Sequence, residues 1–189
     1  LSEAEIFDPA SATFSVVGSM TSGRSEHAAV KLADGKVLIA GGRTAVGLTN
    51  TTEVFDPTTG TFSSGPAMGV ARAGHSATLF ADGRIFIAGG DANGTAEVLS
   101  SSLNGSTVLG SMSGARSMHS AALMQDGRVL IVGGRDGNGN ALNTGEIYGA
   151  GFSMIAKTLK LARVRPHLRV LFDGKVQIIG GNNDGSMEI

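Results

Sequence analysis

One motif recurs four times in this chain of 189 residues, and no other feature constrains the fold as much. It opens on an arginine, passes a histidine and an Asp-Gly pair, and closes on an apolar run ending in Gly-Gly. The first copy has Arg24, His27, Asp34-Gly35, Val37 to Ala40 and Gly41-Gly42. The second has Arg72, His75, Asp82-Gly83, Ile85 to Ala88 and Gly89-Gly90. The third has Arg116, His119, Asp126-Gly127, Val129 to Val132 and Gly133-Gly134. The fourth has Arg163, Asp173-Gly174, Val176 to Ile179 and Gly180-Gly181. Successive Asp-Gly pairs lie 48, 44 and 47 residues apart. A repeat of this length, built from short strands, implies a radial or stacked array in which neighbouring units share their core.

Composition agrees with an all-β chain. The sequence holds 29 Gly, 4 Pro and only 5% aromatic residues, which suits short apolar strands separated by turns. The net charge of -1 offers no electrostatic footprint for nucleic acid or an anionic membrane. No apolar run approaches the ~20 residues that span a bilayer as a helix. Cysteine is absent, so disulfides and thiolate metal sites are excluded. The first residue is Leu1 rather than Met, which points to a processed form or a piece of a longer chain.

Each repeat reads as four strands, a to d. Strand a is His75 to Phe80 and its counterparts. The following Asp-Gly predicts a two-residue type I′ hairpin. Strand b is the apolar run before Gly-Gly. It barely alternates, so both its faces should be buried between neighbouring sheets. Strand c is Glu53-Val54-Phe55, followed by the turn Asp56-Pro57. Strand d is Thr61-Phe62-Ser63. Glu5-Ile6-Phe7, Asp8-Pro9 and Thr13-Phe14-Ser15 form another copy of strands c and d. Ser100 to Asn104 replaces the Asp-Pro turn in the third copy of strands c and d. Further on, strands c and d become Glu146-Ile147-Tyr148 and Gly151-Phe152-Ser153. The repeat units span about 20–62, 68–108, 112–153 and 161–189, with 1–15 in addition.

These residues resemble the kelch repeat, in the variant of secreted bacterial proteins. The resemblance covers essentially the whole chain as a single domain. It departs in two places: the usual Trp is absent, and Pro166 stands where the fourth histidine is expected, with His167 one residue later. The resemblance implies a kelch-type β-propeller of about four blade equivalents, each of four antiparallel strands, with strand a lining a central channel. It also implies an extracellular or cell-surface location. Such propellers host enzymes and binding platforms alike. Glu5, Glu53, Glu97, Glu146 and Glu188 share one repeat position. Two completions follow. Strand c at Glu5 pairs with strand b at Val176 to Ile179 and closes a small ring, or the chain belongs to a larger propeller of 6–8 blades. Additional blades or a homodimer would supply the rest of that larger ring.

Antiparallel topology puts the d–a and b–c connections on one face of the disc. Arg24, Arg72, Arg116 and Arg163 open strand a there, at the channel mouth. The longest loops, Arg43 to Thr52 and Arg135 to Thr144, emerge on the same face. Two readings of the arginines stay open. One Arg and one Glu per repeat suits a recurrent structural pair, with the guanidinium forking onto the carboxylate. A ring of guanidiniums at the mouth would collect anions. His27, His75 and His119 read as structural hydrogen-bonding residues rather than metal ligands. Asp136, Asn138 and Asn140 alternate as in the first half of a calcium loop. The loop's Gly and bidentate Glu are missing, so calcium is the only cofactor this pattern leaves open, and a polar turn is expected.

No catalytic constellation stands out. The resemblance extends to galactose-oxidase-like propellers, but their copper chemistry needs a Cys-linked Tyr, a second Tyr and two His. This chain has no Cys and one tyrosine, Tyr148. The sequence therefore points to a non-enzymatic binding or scaffolding module for a protein or glycan, recognised across the d–a and b–c face. Nucleic acid and membrane insertion are not expected. The alternative is the propeller part of a carbohydrate-active enzyme, oxidase, sialidase-like or sugar isomerase, with its catalytic groups outside this chain.

Overall fold

The computed structural model describes residues 2–181 and the backbone of 187–188. Its regular elements among those residues are all strands. They are β1 (Glu5–Asp8), β2 (Thr13–Val16), β3 (Ala28–Lys31), β4 (Val37–Ala40), β5 (Arg43–Thr44), β6 (Gly47–Leu48), β7 (Thr52–Asp56), β8 (Thr61–Ser64), β9 (Ser76–Leu79) and β10 (Ile85–Ala88). They continue as β11 (Thr95–Leu99), β12 (Ser106–Ser111), β13 (Ser120–Leu123), β14 (Val129–Val132), β15 (Gly145–Tyr148), β16 (Phe152–Met154), β17 (His167–Val170), β18 (Val176–Ile179) and β19 (Met187–Glu188). No helix among the described residues is long and apolar enough to cross a membrane.

The strands form antiparallel sheets in the order β3-β4-β7-β8, β9-β10-β11-β12, β13-β14-β15-β16 and β17-β18-β19. These are four blades of a β-propeller. The inner strands line up side by side, β3 beside β9, β9 beside β13 and β13 beside β17. Hairpin β1-β2 stands apart as a two-stranded sheet, and β5-β6 is a small hairpin in the first blade's b–c connection.

The continuous apolar runs explain the packing. A strand buried on both faces sends alternate side chains to opposite neighbours. Leu38 and Ala40 of the first blade meet Ile85 and Ile87 of the second. Phe86 and Ala88 of the second meet Val129 and Ile131 of the third. Leu130 and Val132 of the third meet Ile178 of the fourth. The core is thus three interblade layers. Each fully buried Ile, Leu or Phe contributes about 1.5–3 kcal/mol. Met68 and Met112, from the d–a linkers, fill the upper corners of the first two layers.

Two expectations need correction. The Asp-Gly turns are not type I′. Only the glycine is left-handed, with φ of 89°, 83°, 82° and 83° at Gly35, Gly83, Gly127 and Gly174. The loop is longer: the amide of Leu32 donates to the Lys36 carbonyl at 2.8 Å, and Gly35 donates back to Leu32 at 3.1 Å. The aspartate instead accepts from the amide two residues on, as Asp34 does from Lys36 at 3.1 Å and Asp82 from Arg84 at 3.0 Å. This is a turn followed by one left-handed glycine, the next most common hairpin class.

Self-closure of the ring is also not formed. Among the described residues β1 pairs only with β2, and β18 is flanked by β19. Glu188 takes the register position beside Ile178 that Glu53 holds beside Ile39. The free hairpin shows what it lacks. Phe7 and Phe14 sit 5.0 Å apart, as Phe55 and Phe62 do at 4.9 Å in the first blade. Phe7 is 50% exposed and Phe55 only 9%. The difference arises because β4 covers the inner edge of β7, while among the described residues no strand covers the corresponding edge of β1.

Gly-Gly is required by close backbone approach. A Cβ on Gly89, where φ is +69°, would sit 2.8 Å from His119 Cε1 and 3.0 Å from Met112 Cε, besides overlapping the Arg116 carbonyl. Gly89→Ala is expected to cost about 3 kcal/mol or more. Gly114→Ala, with open space and an ordinary φ, should stay within about 0.5 kcal/mol. Urea melts of the two variants check the contrast.

Candidate functional site

The four repeat arginines lie at the start of strand a, but their side chains are inside the blades. Arg24, Arg72, Arg116 and Arg163 are all buried, with Arg72 and Arg163 at 0% exposure. Each Nη1 donates to the carbonyl of the first glycine of its own Gly-Gly: Gly41 at 3.0 Å, Gly89 at 2.5 Å, Gly133 at 2.8 Å and Gly180 at 2.6 Å. In the first three blades the same nitrogen also reaches the backbone carbonyl of Thr51, Thr95 or Thr144.

The repeat glutamates complete this arrangement. Arg24 Nη2 donates to Glu53 at 2.6 Å, Arg72 Nη2 to Glu97 at 2.8 Å and Arg116 Nη2 to Glu146 at 3.1 Å. The expected fork is not the geometry. In the second blade Arg72 Nε and Nη2 converge on one oxygen, Oε1. The other carboxylate oxygen accepts a backbone amide of the d–a linker: Thr21 at 2.8 Å, Gly69 at 2.7 Å or Ser113 at 2.9 Å. Each carboxylate therefore ties strand c to the arginine and to the chain arriving from the previous blade. The side chain of Glu188 lies outside the described residues. Glu5 sits in the exposed β1, away from any such arginine.

The same arginines join the blades through their backbone. Gly42, Gly90 and Gly134 donate their amides to the carbonyls of Arg72, Arg116 and Arg163 in the following blade, at 2.8, 2.8 and 2.7 Å. The anion-collecting surface is thus not built from these guanidiniums, which carbonyls, hydroxyls and carboxylates already surround.

The histidines stand beside the axis. His119 Nε2 lies 2.9 Å from Ser76 Oγ in the preceding blade. The repeat counterpart of Ser76 is Ala28, which has no hydroxyl, and both ring nitrogens of the buried His75 lack a partner. Pro166 takes the histidine's place in the fourth blade, and its carbonyl accepts from Ser120 Oγ. Burial pushes His75 down to about 3, helped by the Arg72 charge. Burial and the Arg116 charge push His119 to about 3 as well. His27 is exposed and is lowered by desolvation and then by Arg24. No group of three His, Cys, Asp or Glu able to hold a metal exists among the described residues.

Around the axis, one residue per blade is left-handed: Glu26, Gly74, Met118 and Arg165, with φ of 55°, 66°, 52° and 52°. These residues form a backbone rail. Gly74 donates to the Glu26 carbonyl at 2.8 Å, Met118 to Gly74 at 2.6 Å and Arg165 to Met118 at 2.7 Å. With His27, His75 and His119 they line an axial cavity of about 300 Å³. The sequence carries no sign of this rail, because three of its four members are not glycine.

On the same face the b–c connections differ. The first blade raises β5-β6, with Val46 at its tip 97% exposed, Leu48 44% exposed and Arg43 exposed. The third blade holds a similar loop, bridged at Ser117–Arg135 and Arg135–Ala141. Its Arg135 is exposed and donates to the Gly139 carbonyl at 2.6 Å. Asp136 closes the turn by accepting the amides of Asn138 and Asn140 at 2.9 and 2.8 Å and the Asn140 side chain at 3.1 Å. The second blade has a short loop instead. Its Asp91 turns inward to Arg72 at 3.3 Å. The outcome is a saddle, low over the second blade and flanked by two loops. Wider crevices open between blades on the opposite, Asp-Gly face, one of about 380 Å³ between Phe80, Arg84 and Tyr148. Tyr148 stacks on Phe86 at 4.5 Å in the interblade layer.

Removing Arg72 leaves Glu97 buried without its cation. Arg72→Ala is expected to cost about 3–5 kcal/mol, read as a lower urea midpoint. The histidines add a pH dependence. His75 and His119 are neutral when folded and bind protons readily when unfolded. Their contribution is therefore complete above about pH 6.5 and is lost as pH falls toward about 3. Between those limits each contributes a slope of up to about 1.4 kcal/mol per pH unit. Unfolding free energies at pH 7 and pH 4.5 check this, and His119→Gln should flatten the dependence.

Comparison with known proteins agrees with the blade geometry. Residues 24–69, from the buried arginine of the first blade to the linker before the second, match the kelch motif. No curated protein matches the chain. The kelch match and the four antiparallel sheets together support a kelch-type β-propeller.

Proposed function

We propose that this chain is a non-enzymatic binding module that recognises a protein across the saddle on its d–a and b–c face. The observation that carries this reading is the pair of b–c loops flanking the short loop of the second blade. Their exposed Val46, Leu48, Arg43 and Arg135 offer aliphatic contact rimmed by positive charge. Apolar groups that protrude from a rigid scaffold favour protein contact. The buried arginines support recognition indirectly, because they hold the loop bases through Gly41 and Gly133.

A protein partner is favoured over a glycan. Sugar rings are commonly held on aromatic platforms, and residues 41–52 and 133–144 contain no aromatic side chain. The kelch match supports the same class, since propellers of this kind serve generally as protein-binding scaffolds. Arginine at the rim favours acidic segments with an apolar anchor.

Selection of a displayed random-peptide library on the chain tests the reading. Enriched peptides should combine acidic and apolar residues. They should bind the variant Val46→Asp, Arg43→Glu, Arg135→Glu at least about tenfold more weakly. Peptides that bind wild type and variant equally would move the site elsewhere. A glycan-array signal abolished by the same variant would replace the protein reading with a carbohydrate one.

A further inference from the structure

The backbone rail around the axis has two open ends. Gly74, Met118 and Arg165 each donate to the left-handed residue of the preceding blade. Among the described residues, the Glu26 amide has no backbone acceptor and the Arg165 carbonyl no backbone donor. One more bond of the same kind would join an Arg165 carbonyl to a Glu26 amide. Among the described residues the chain does not form it, and β17 lacks the packing onto β3 that β9 has.

The two ends carry opposite charges. The rail begins at an acidic residue and ends at a basic one, with Gly74 and Met118 between them. The surfaces beside these ends are also unequal. The chain leading into Glu26 carries hairpin β1-β2, with Phe7 50%, Phe14 69% and Val16 71% exposed. It has the c–d strand form of a blade but no strand b at its side. Beside Arg165 stands β18, a strand b whose outer partner among the described residues is the two-residue β19. Buried strand c residues in the other blades show what the hairpin gains when a strand b flanks it.

We propose that this surface docks a second copy of the chain, head to tail. The Arg165 carbonyl of one copy accepts the Glu26 amide of the other, and their side chains pair across the junction. Hairpin β1-β2 of one copy adds to β18 of the other, the four-residue β1 displacing β19. The arrangement repeats at the second junction, so two copies close one ring with two identical heterologous contacts. The occupant is a second copy because each copy carries both halves of the junction: an acidic and a basic end, a free amide and a free carbonyl, a c–d hairpin and a b strand.

Charge reversal tests this directly. Sedimentation velocity of the 189-residue chain should show a concentration-dependent dimer. Glu26→Lys and Arg165→Glu should each weaken dimerisation by about tenfold or more. In an equimolar mixture of the two variants, the two reversed charges meet at one junction, and the native Glu26 meets the native Arg165 at the other. The mixture should therefore recover association to within about threefold of wild type. Circular dichroism of each variant checks that its sheets are intact, and recovery in the mixture is itself proof of folding. A monomer at all concentrations would overturn the proposal. So would single variants that dimerise like wild type, or a mixture that stays monomeric.

Discussion

A buried guanidinium at the head of each blade is the interaction on which the rest of this structure depends. It gathers four parts of the repeat that are distant in sequence. In the first three blades its nitrogens hold the end of strand b through the first glycine, the start of strand c through a threonine carbonyl, and the glutamate within strand c. Its own carbonyl holds the preceding blade through the second glycine. A charge this deep costs several kcal/mol to desolvate unless its donors are matched. Here carbonyls, a hydroxyl and a carboxylate receive them, and the carboxylate's second oxygen is held by a linker amide. In the second blade Asp91 adds a further oxygen. The blades vary in detail, since Arg24 and Arg116 leave Nε without a partner where Arg72 does not.

This lock also explains why the b–c connections vary without disturbing the blades. The residues on either side of each b–c connection are clamped by the arginine, so the segment between them varies without disturbing the sheet. The first and third blades extend it into bridged loops, and the second shortens it and turns Asp91 inward. The saddle is a direct result of this freedom between fixed points. On the opposite face the aspartate–amide bonds hold the a–b turns to one length.

Much of the fold is legible in the residues because steric demands are local. Gly-Gly recurs because two backbones approach each other there, and apolar runs without alternation reveal burial on both faces. One Arg and one Glu per repeat announce a pair. What the residue pattern does not reveal is direction. Arg72 stands at the head of strand a, so topology alone places it at the channel mouth, yet its side chain runs back over its own blade. Nor does it reveal the left-handed backbone at Glu26, Met118 and Arg165, since that conformation is imposed by the rail and not by the side chains. The Asp-Gly turns depart from expectation for a related reason. The pair is compatible with more than one hairpin loop, and the aspartate's bond to the amide two residues on selects the longer one.

The order of the locking groups along the chain has a kinetic meaning. Each arginine comes first, its glycine carbonyl follows 17 residues later, and the glutamate follows 29, 25 or 30 residues after the arginine in the first three blades. A blade therefore contains every side chain needed to fasten itself once its third strand exists. The glycine amide that joins it to the next blade waits for the next arginine. During synthesis the side-chain lock of one blade is therefore complete in sequence before its successor appears, while the apolar layer shared with that successor has to wait for it.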